Sequence, residues 1–154
     1  MNSRFVLWLF ILGCLSAHIG NAQSDIFVGT WKLSRGKSDF EPPQNFFGRT
    51  MILESAGNGY RCVTRTVSDR RQTIESDYTA SLDGKDAPIL NSQLDTISLK
   101  RIDAVTLEAT GKIKGQVIER SLVKVSADGK VLTMDTKGTM NGEDYHNTQV
   151  FNRQ

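Results

Sequence analysis

The sequence predicts an all-β chain that closes into a single antiparallel up-and-down β-barrel of about eight to ten strands. Three observations carry that prediction. Short runs rich in Val, Ile, Thr and aromatic residues recur from Ile26 onward, each bounded by Gly, Asn, Asp or Pro. Many of them alternate: Val105, Leu107 and Ala109 fall on one side of a strand, and Thr106, Glu108 and Thr110 on the other. Such alternation buries one face and wets the other. No stretch after Ile26 repeats its apolar residues at helical spacing. Consecutive hairpins without a long crossover make a meander, and closing the meander removes the edges that would otherwise pair with other chains.

The first residues read differently. Arg4 precedes an apolar run from Phe5 to Leu15 that is too short to span a bilayer, and Gly20-Asn21-Ala22 sets small residues at a cleavage site. Residues 1–22 are therefore expected to be a secretory signal peptide and residues 23–154 the barrel domain, exported to a periplasm or secreted. Gly13-Cys14 raises lipoprotein tethering as the alternative, but the apolar run before Cys14 is short and small residues continue to a better site. Removing the leader leaves 132 of the 154 residues, enough for one compact domain. Arg4 goes with it, so 18 basic residues face 17 acidic ones. A nearly neutral domain has no electrostatic case for nucleic acid. Cys62 is then the one cysteine left and has no internal disulfide partner, which makes it a small buried hydrophobe.

Taken in order, Ile26 to Leu33 is the first strand and holds Trp31. Ser34 to Gly48 breaks the pattern, because the adjacent Pro42 and Pro43 forbid a central strand and end any helix. Phe40, Phe46 and Phe47 make this loop aromatic; it folds back as a lid over a barrel mouth, or these rings pin a long loop to the core. Arg49 to Ala56 closes at Gly57-Asn58-Gly59, and Tyr60 to Val67 and Arg71 to Ala80 follow. Leu82 to Pro88 is a turn with a short strand beyond it. Asp95 to Ile102, Val105 to Lys112 and Gln116 to Val125 pair in sequence. Asp128-Gly129 predicts a type I′ hairpin leading into Val131 to Gly138, and Asn141-Gly142 turns into the last strand, Tyr145 to Arg153.

Three segments carry a resemblance: Val28-Gly29-Thr30-Trp31-Lys32-Leu33, Ile118-Glu119-Arg120-Ser121-Leu122-Val123 and Thr148-Gln149-Val150-Phe151-Asn152-Arg153. With these the chain resembles small exported bacterial lipocalin-like proteins of the calycin superfamily, and more distantly the fatty-acid-binding proteins. The resemblance implies that Trp31 plugs one end of the barrel with Arg153 over it. It also implies that Arg120 stands where those proteins place a ligand-holding arginine. Their Arg-x-Tyr on the last strand reads Gln149-Val150-Phe151 here, and their helical lid is replaced by the loop from Ser34 to Gly48.

Residue chemistry excludes more than it selects. His146 and Cys62 stand alone, without the paired spacing of a metal site. No glycine-rich loop opens a helix for a nucleotide, and no acid–base pair at usable spacing stands out. No cofactor is expected. If Arg120 faces inward, Ile118 and Leu122 do too, and on the last strand Tyr145, Asn147, Gln149 and Phe151 share a face. Apolar walls with a few convergent polar groups suit a small ligand. The leading expectation is thus non-enzymatic binding of a small hydrophobic or amphipathic molecule inside an exported monomeric barrel. The alternative is a filled barrel that binds a protein partner through its loops.

Overall fold

In a computed structural model that describes residues 25–154, the chain forms eleven strands and one short 3-10 turn, with no α-helix among the described residues. The expected leader, with Arg4, Cys14 and the proposed cleavage site after Ala22, lies outside the described residues. The strands are β1 (Gly29–Leu33), β2 (Asp39–Glu41), β3 (Phe46–Ala56), β4 (Gly59–Ser68), β5 (Thr73–Ser81) and β6 (Asp83–Leu90), followed by β7 (Thr96–Asp103), β8 (Thr106–Ile113), β9 (Gln116–Val125), β10 (Val131–Met140) and β11 (Glu143–Arg153). From β3 to β11 each strand pairs antiparallel with the next, and β1 pairs with both β3 and β11. The result is an all-β, ten-stranded, closed antiparallel barrel, with β2 added along β11.

Turn chemistry sets the registers. Lys114-Gly115 and Asn141-Gly142 are two-residue loops in which both residues take positive φ, the twist that matches a right-handed hairpin. Asp128-Gly129 departs from the predicted type I′ form: only Gly129 takes positive φ. The Asp128 carboxylate instead accepts from Ser126 Oγ (2.6 Å) and from the Lys130 N–H (3.1 Å), while the Gly129 N–H donates to Ser126 O (2.8 Å). A short side chain that caps its own turn favours this longer loop with glycine in the left-handed position.

The segment read as a loop from Ser34 to Gly48 holds more order than expected. After the 3-10 turn at Arg35–Lys37, β2 pairs His146↔Glu41, Asn147↔Phe40 and Thr148↔Asp39. β1 and β2 thus occupy the same edge of β11 in succession, and the prolines fall just beyond the pairing, where no N–H is required. Phe46 is buried and meets Phe40 edge-on at 5.4 Å, whereas Phe47 is exposed. The weakest seam is β5 to β6, with two register pairs, Asp77↔Leu90 and Tyr78↔Ile89. Pro88 comes next along β6 and has no N–H to extend that ladder.

The inward faces divide the barrel into two halves. At one end Trp31, Leu53, Tyr60, Leu107, Val125, Leu132 and Phe151 form a dry core. At the other, inward positions of β3, β4, β9, β10 and β11 carry Arg49, Thr66, Glu119, Ser121, Thr136, Asn147 and Gln149. That polar half holds the candidate site.

Candidate functional site

The closed end needs description first, because it fixes what the other end is free to do. Trp31 is fully buried and donates its indole N–H to Phe27 O at 2.9 Å. The Arg153 guanidinium lies 4.2 Å over the Trp31 ring. Its Nε donates to Gly129 O and its Nη1 to Val28 O, each at 2.6 Å, and its Nη2 to Ile26 O. Beside it Arg101 sits over Phe27 and Tyr60 and donates to the Asp25 carboxylate and the Tyr60 hydroxyl. Burial and the neighbouring Asp25 push the Tyr60 phenol well above its usual range. Every cation here has its acceptors, so this end is a plug.

The opposite end is organised by one face of β11. Along it stand Tyr145, Asn147 and Gln149, two residues apart, all pointing inward with Phe151 below them. The Tyr145 hydroxyl donates to Glu119 on β9. Burial, and then this acid, raise the phenol pKa well above its ordinary value. Gly138 and Gly111 make room for the pair: a Cβ at Gly138 would lie 2.7 Å from the Tyr145 ring, and one at Gly111 2.8 Å from Glu119 Cγ. Gln149 is buried, and its Oε1 accepts from Arg49 Nη1.

Arg49 is the cation of the interior. It shares the inward face of β3 with Met51 and Leu53, donates from Nε to Thr66 Oγ1 at 3.1 Å, and lies 4.8 Å from the Phe46 centroid. Burial lowers its pKa, and the negative charge of Glu119 partly restores it. Between these two charged groups lies Asn147, 6% exposed, whose Oδ1 has no hydrogen-bond partner. Its neighbour across the ladder, Thr136, is already engaged with Ser121 at 2.7 Å. An unpaired buried acceptor costs on the order of 1–3 kcal/mol, so the site is built short of one donor. It is reached from the barrel end at which Arg49, Thr66 and Ile74 follow one another across the register. Ile74 has inward parity yet is 54% exposed, which marks that end as open to solvent.

The expected site residues separate accordingly. Tyr145, Gln149 and Phe151 point into the barrel together. Arg120, Ile118 and Leu122 do not: Arg120 is exposed on the outer wall, where its Nη1 donates to Thr110 Oγ1 at 3.3 Å, and Leu122 is 40% exposed. The inward face of β9 belongs instead to Glu119, Ser121, Val123 and Val125. The expected inward Arg120 is therefore corrected, and its physical reason is visible in the strand. Two apolar residues flank Arg120 on the wet side, while polar Glu119 and Ser121 are drawn in by Tyr145 and Thr136. Outside, Arg120, Leu122, Val117, Asp135 and Lys137 border a shallow groove of about 410 Å³. His146 also faces outward and bonds Asp135 at 2.9 Å. Among the described residues, no three of His, Cys, Asp and Glu converge where a metal ion could bind.

The interior Arg49 is what residue-level reading passed over, whereas Asn147 lies on the inner face expected of it. The alternation of Arg49 with Met51 and Leu53 was the available signal.

No protein-family model matches this sequence, and comparison with curated proteins finds no match either. Among solved structures thirteen chains match. One is the zebrafish ileal bile-acid-binding protein complexed with cholic acid, at 8% sequence identity and a TM-score of 0.53, covering 84% of this chain and 99% of that one. At that identity the likeness is one of fold alone.

Proposed function

We propose that this protein binds a small amphipathic molecule inside its barrel and does no chemistry on it. The observation that carries the reading is the inward row of β11, with buried Gln149 holding Arg49 and buried Asn147 left unpartnered, at the barrel end where Ile74 is exposed. Apolar walls with a few polar groups fixed in place are what a small-ligand site requires. Phe46, Phe40 and Met134 supply the wall beside the polar row. The barrel likeness to a bile-acid-binding protein supports the same reading. Against an enzyme stands the placement of acid and base: Glu119 is tied to Tyr145 inside, and His146 is on the outer wall. The leader-like residues 1–22 support export, so the protein would act as a lipocalin-like carrier, a monomer, in the periplasm or outside the cell.

A second reading has its own observation. The outer groove at Arg120, Lys137, Val117 and Leu122 offers exposed apolar surface beside cations, as a protein partner would use. Native mass spectrometry of protein purified from its own host separates the two. A retained small molecule, lost in Arg49→Met and kept in Arg120→Gln, is the expected result. Loss of the molecule in Arg120→Gln alone, or co-purification of a protein with no small molecule, favours the outer surface instead.

A further inference from the structure

We infer that the row on β11 takes an amphiphile whose head group carries no net charge and offers both a hydrogen-bond donor and an acceptor, in preference to a simple fatty-acid carboxylate. This rests on the interior-binding reading and narrows it.

Tyr145, Asn147 and Gln149 lie on one face of a strand, so each step between them is roughly 6.6 Å. The first holds an anion, because its hydroxyl donates to Glu119. The third holds a cation, because its carbonyl accepts from Arg49. The middle one, only 6% exposed, keeps a free acceptor at Oδ1. The formal charges on either side of that acceptor cancel, so the site has no net demand for an anion.

A carboxylate placed at Asn147 would reach Arg49 but would face Glu119 from the other side. It also carries no donor, so Asn147 Oδ1 would stay unpaired. A hydroxyl or amide head meets every demand. Its O–H or N–H donates to Asn147 Oδ1, and its oxygen accepts from Arg49, whose five N–H groups are engaged only by Thr66 and Gln149. Neither nearby hydroxyl takes its place: Ser121 and Thr136 bond each other at 2.7 Å, and neither donates to Asn147 Oδ1. The apolar part then lies along Phe46 and Phe40 toward the exposed Ile74.

A monoacylglycerol and the fatty acid of the same chain length, titrated against the folded protein by displacement of a fluorescent amphiphile, test the inference. The monoacylglycerol should bind about tenfold more tightly, the worth of pairing one buried acceptor that the fatty acid leaves unpaired. Glu119→Gln keeps the shape and the Tyr145 contact but removes the opposing charge, so it should raise fatty-acid affinity several-fold and narrow the preference to the part that Asn147 contributes. Asn147→Leu should weaken the monoacylglycerol alone. A wild-type protein that prefers the fatty acid, or a Glu119→Gln variant with an unchanged ratio, overturns the inference and leaves interior binding standing. If wild type binds neither lipid nor the fluorescent amphiphile, interior binding itself fails.

Discussion

The two ends of this barrel use the same residue types to opposite effect. Each has an arginine against an aromatic ring, Arg153 over Trp31 at 4.2 Å and Arg49 beside Phe46 at 4.8 Å. At the closed end Arg153 spends its donors on three backbone carbonyls that no other group satisfies. At the open end Arg49 bonds two side chains, Thr66 and Gln149, and the amide beside them stays empty. A cation satisfied by main chain is part of the frame. A cation satisfied by side chains, next to an unpaired acceptor, can exchange partners when a ligand arrives.

That contrast breaks most visibly at Trp31. Trp31→Ala should lower the unfolding free energy by about 3–5 kcal/mol, as expected for a fully buried ring, with the loss read from the denaturant midpoint. If the midpoint holds, the closed end is not the frame. Arg153→Lys comes next. A lysine carries its three donors on one nitrogen, which cannot reach carbonyls spread around Nε, Nη1 and Nη2, so a loss of roughly 2–4 kcal/mol is expected from groups left without donors. The matching change at the open end, Arg49→Met, should cost no more than about 1–2 kcal/mol, because removing a desolvated cation offsets part of the penalty of leaving the buried Gln149 Oε1 without its donor. Its cost should appear as weaker amphiphile binding, by about tenfold or more. Equal destabilisation by both arginine substitutions would erase the distinction between plug and site.

These outcomes also bear on what could be read from residues alone. The strand order and the closed barrel follow from alternation and from Gly-containing turns such as Asn141-Gly142, because those signals are local. β2 was hidden by Pro42 and Pro43, since it is three residues long and is defined by a partner more than a hundred positions away. The resemblance set Arg120 inward, and the apolar Ile118 and Leu122 on its side of the strand agreed with an inner face. In β9 an apolar inner face holds for Val123 and Val125, but a polar interior reverses it at Glu119 and Ser121. The extra residue at the β8–β9 irregularity, between Gly111↔Glu119 and Lys112↔Val117, adds to the ambiguity there. A site that is itself polar is the place where pattern reading fails.

The smallest effect lies on the outer wall and serves as a control. Hydrogen bonding from His146 holds the Asp135 carboxyl below its usual pKa. A depressed carboxylate adds stability above its unfolded pKa of about 4, and that increment is lost as pH falls through the lower folded value. Both side chains are 42% exposed, so solvent screening limits the increment to a few tenths of a kcal/mol. Asp135→Asn should flatten the acid limb of the stability curve by that amount and leave ligand binding untouched. A change in amphiphile affinity would show that the outer wall takes part in binding after all.

The pairing of β1 with β11 has a consequence for the order of events during synthesis. Closure joins Trp31 to Arg153 and Leu33 to Phe151, and Arg153 reaches back 125 positions to Val28. Contacts so distant in sequence are entropically expensive to form early, which slows folding. Without β11, β1 and β10 each lack the strand that covers their edge in the closed barrel. A stall or cut before Gln149 would therefore leave a sticky, pairing-competent ribbon rather than a smaller barrel. The last strand is thus the switch between an aggregation-prone intermediate and a sealed molecule, and a chaperone that recognises unpaired β-edges has its window only before that strand docks.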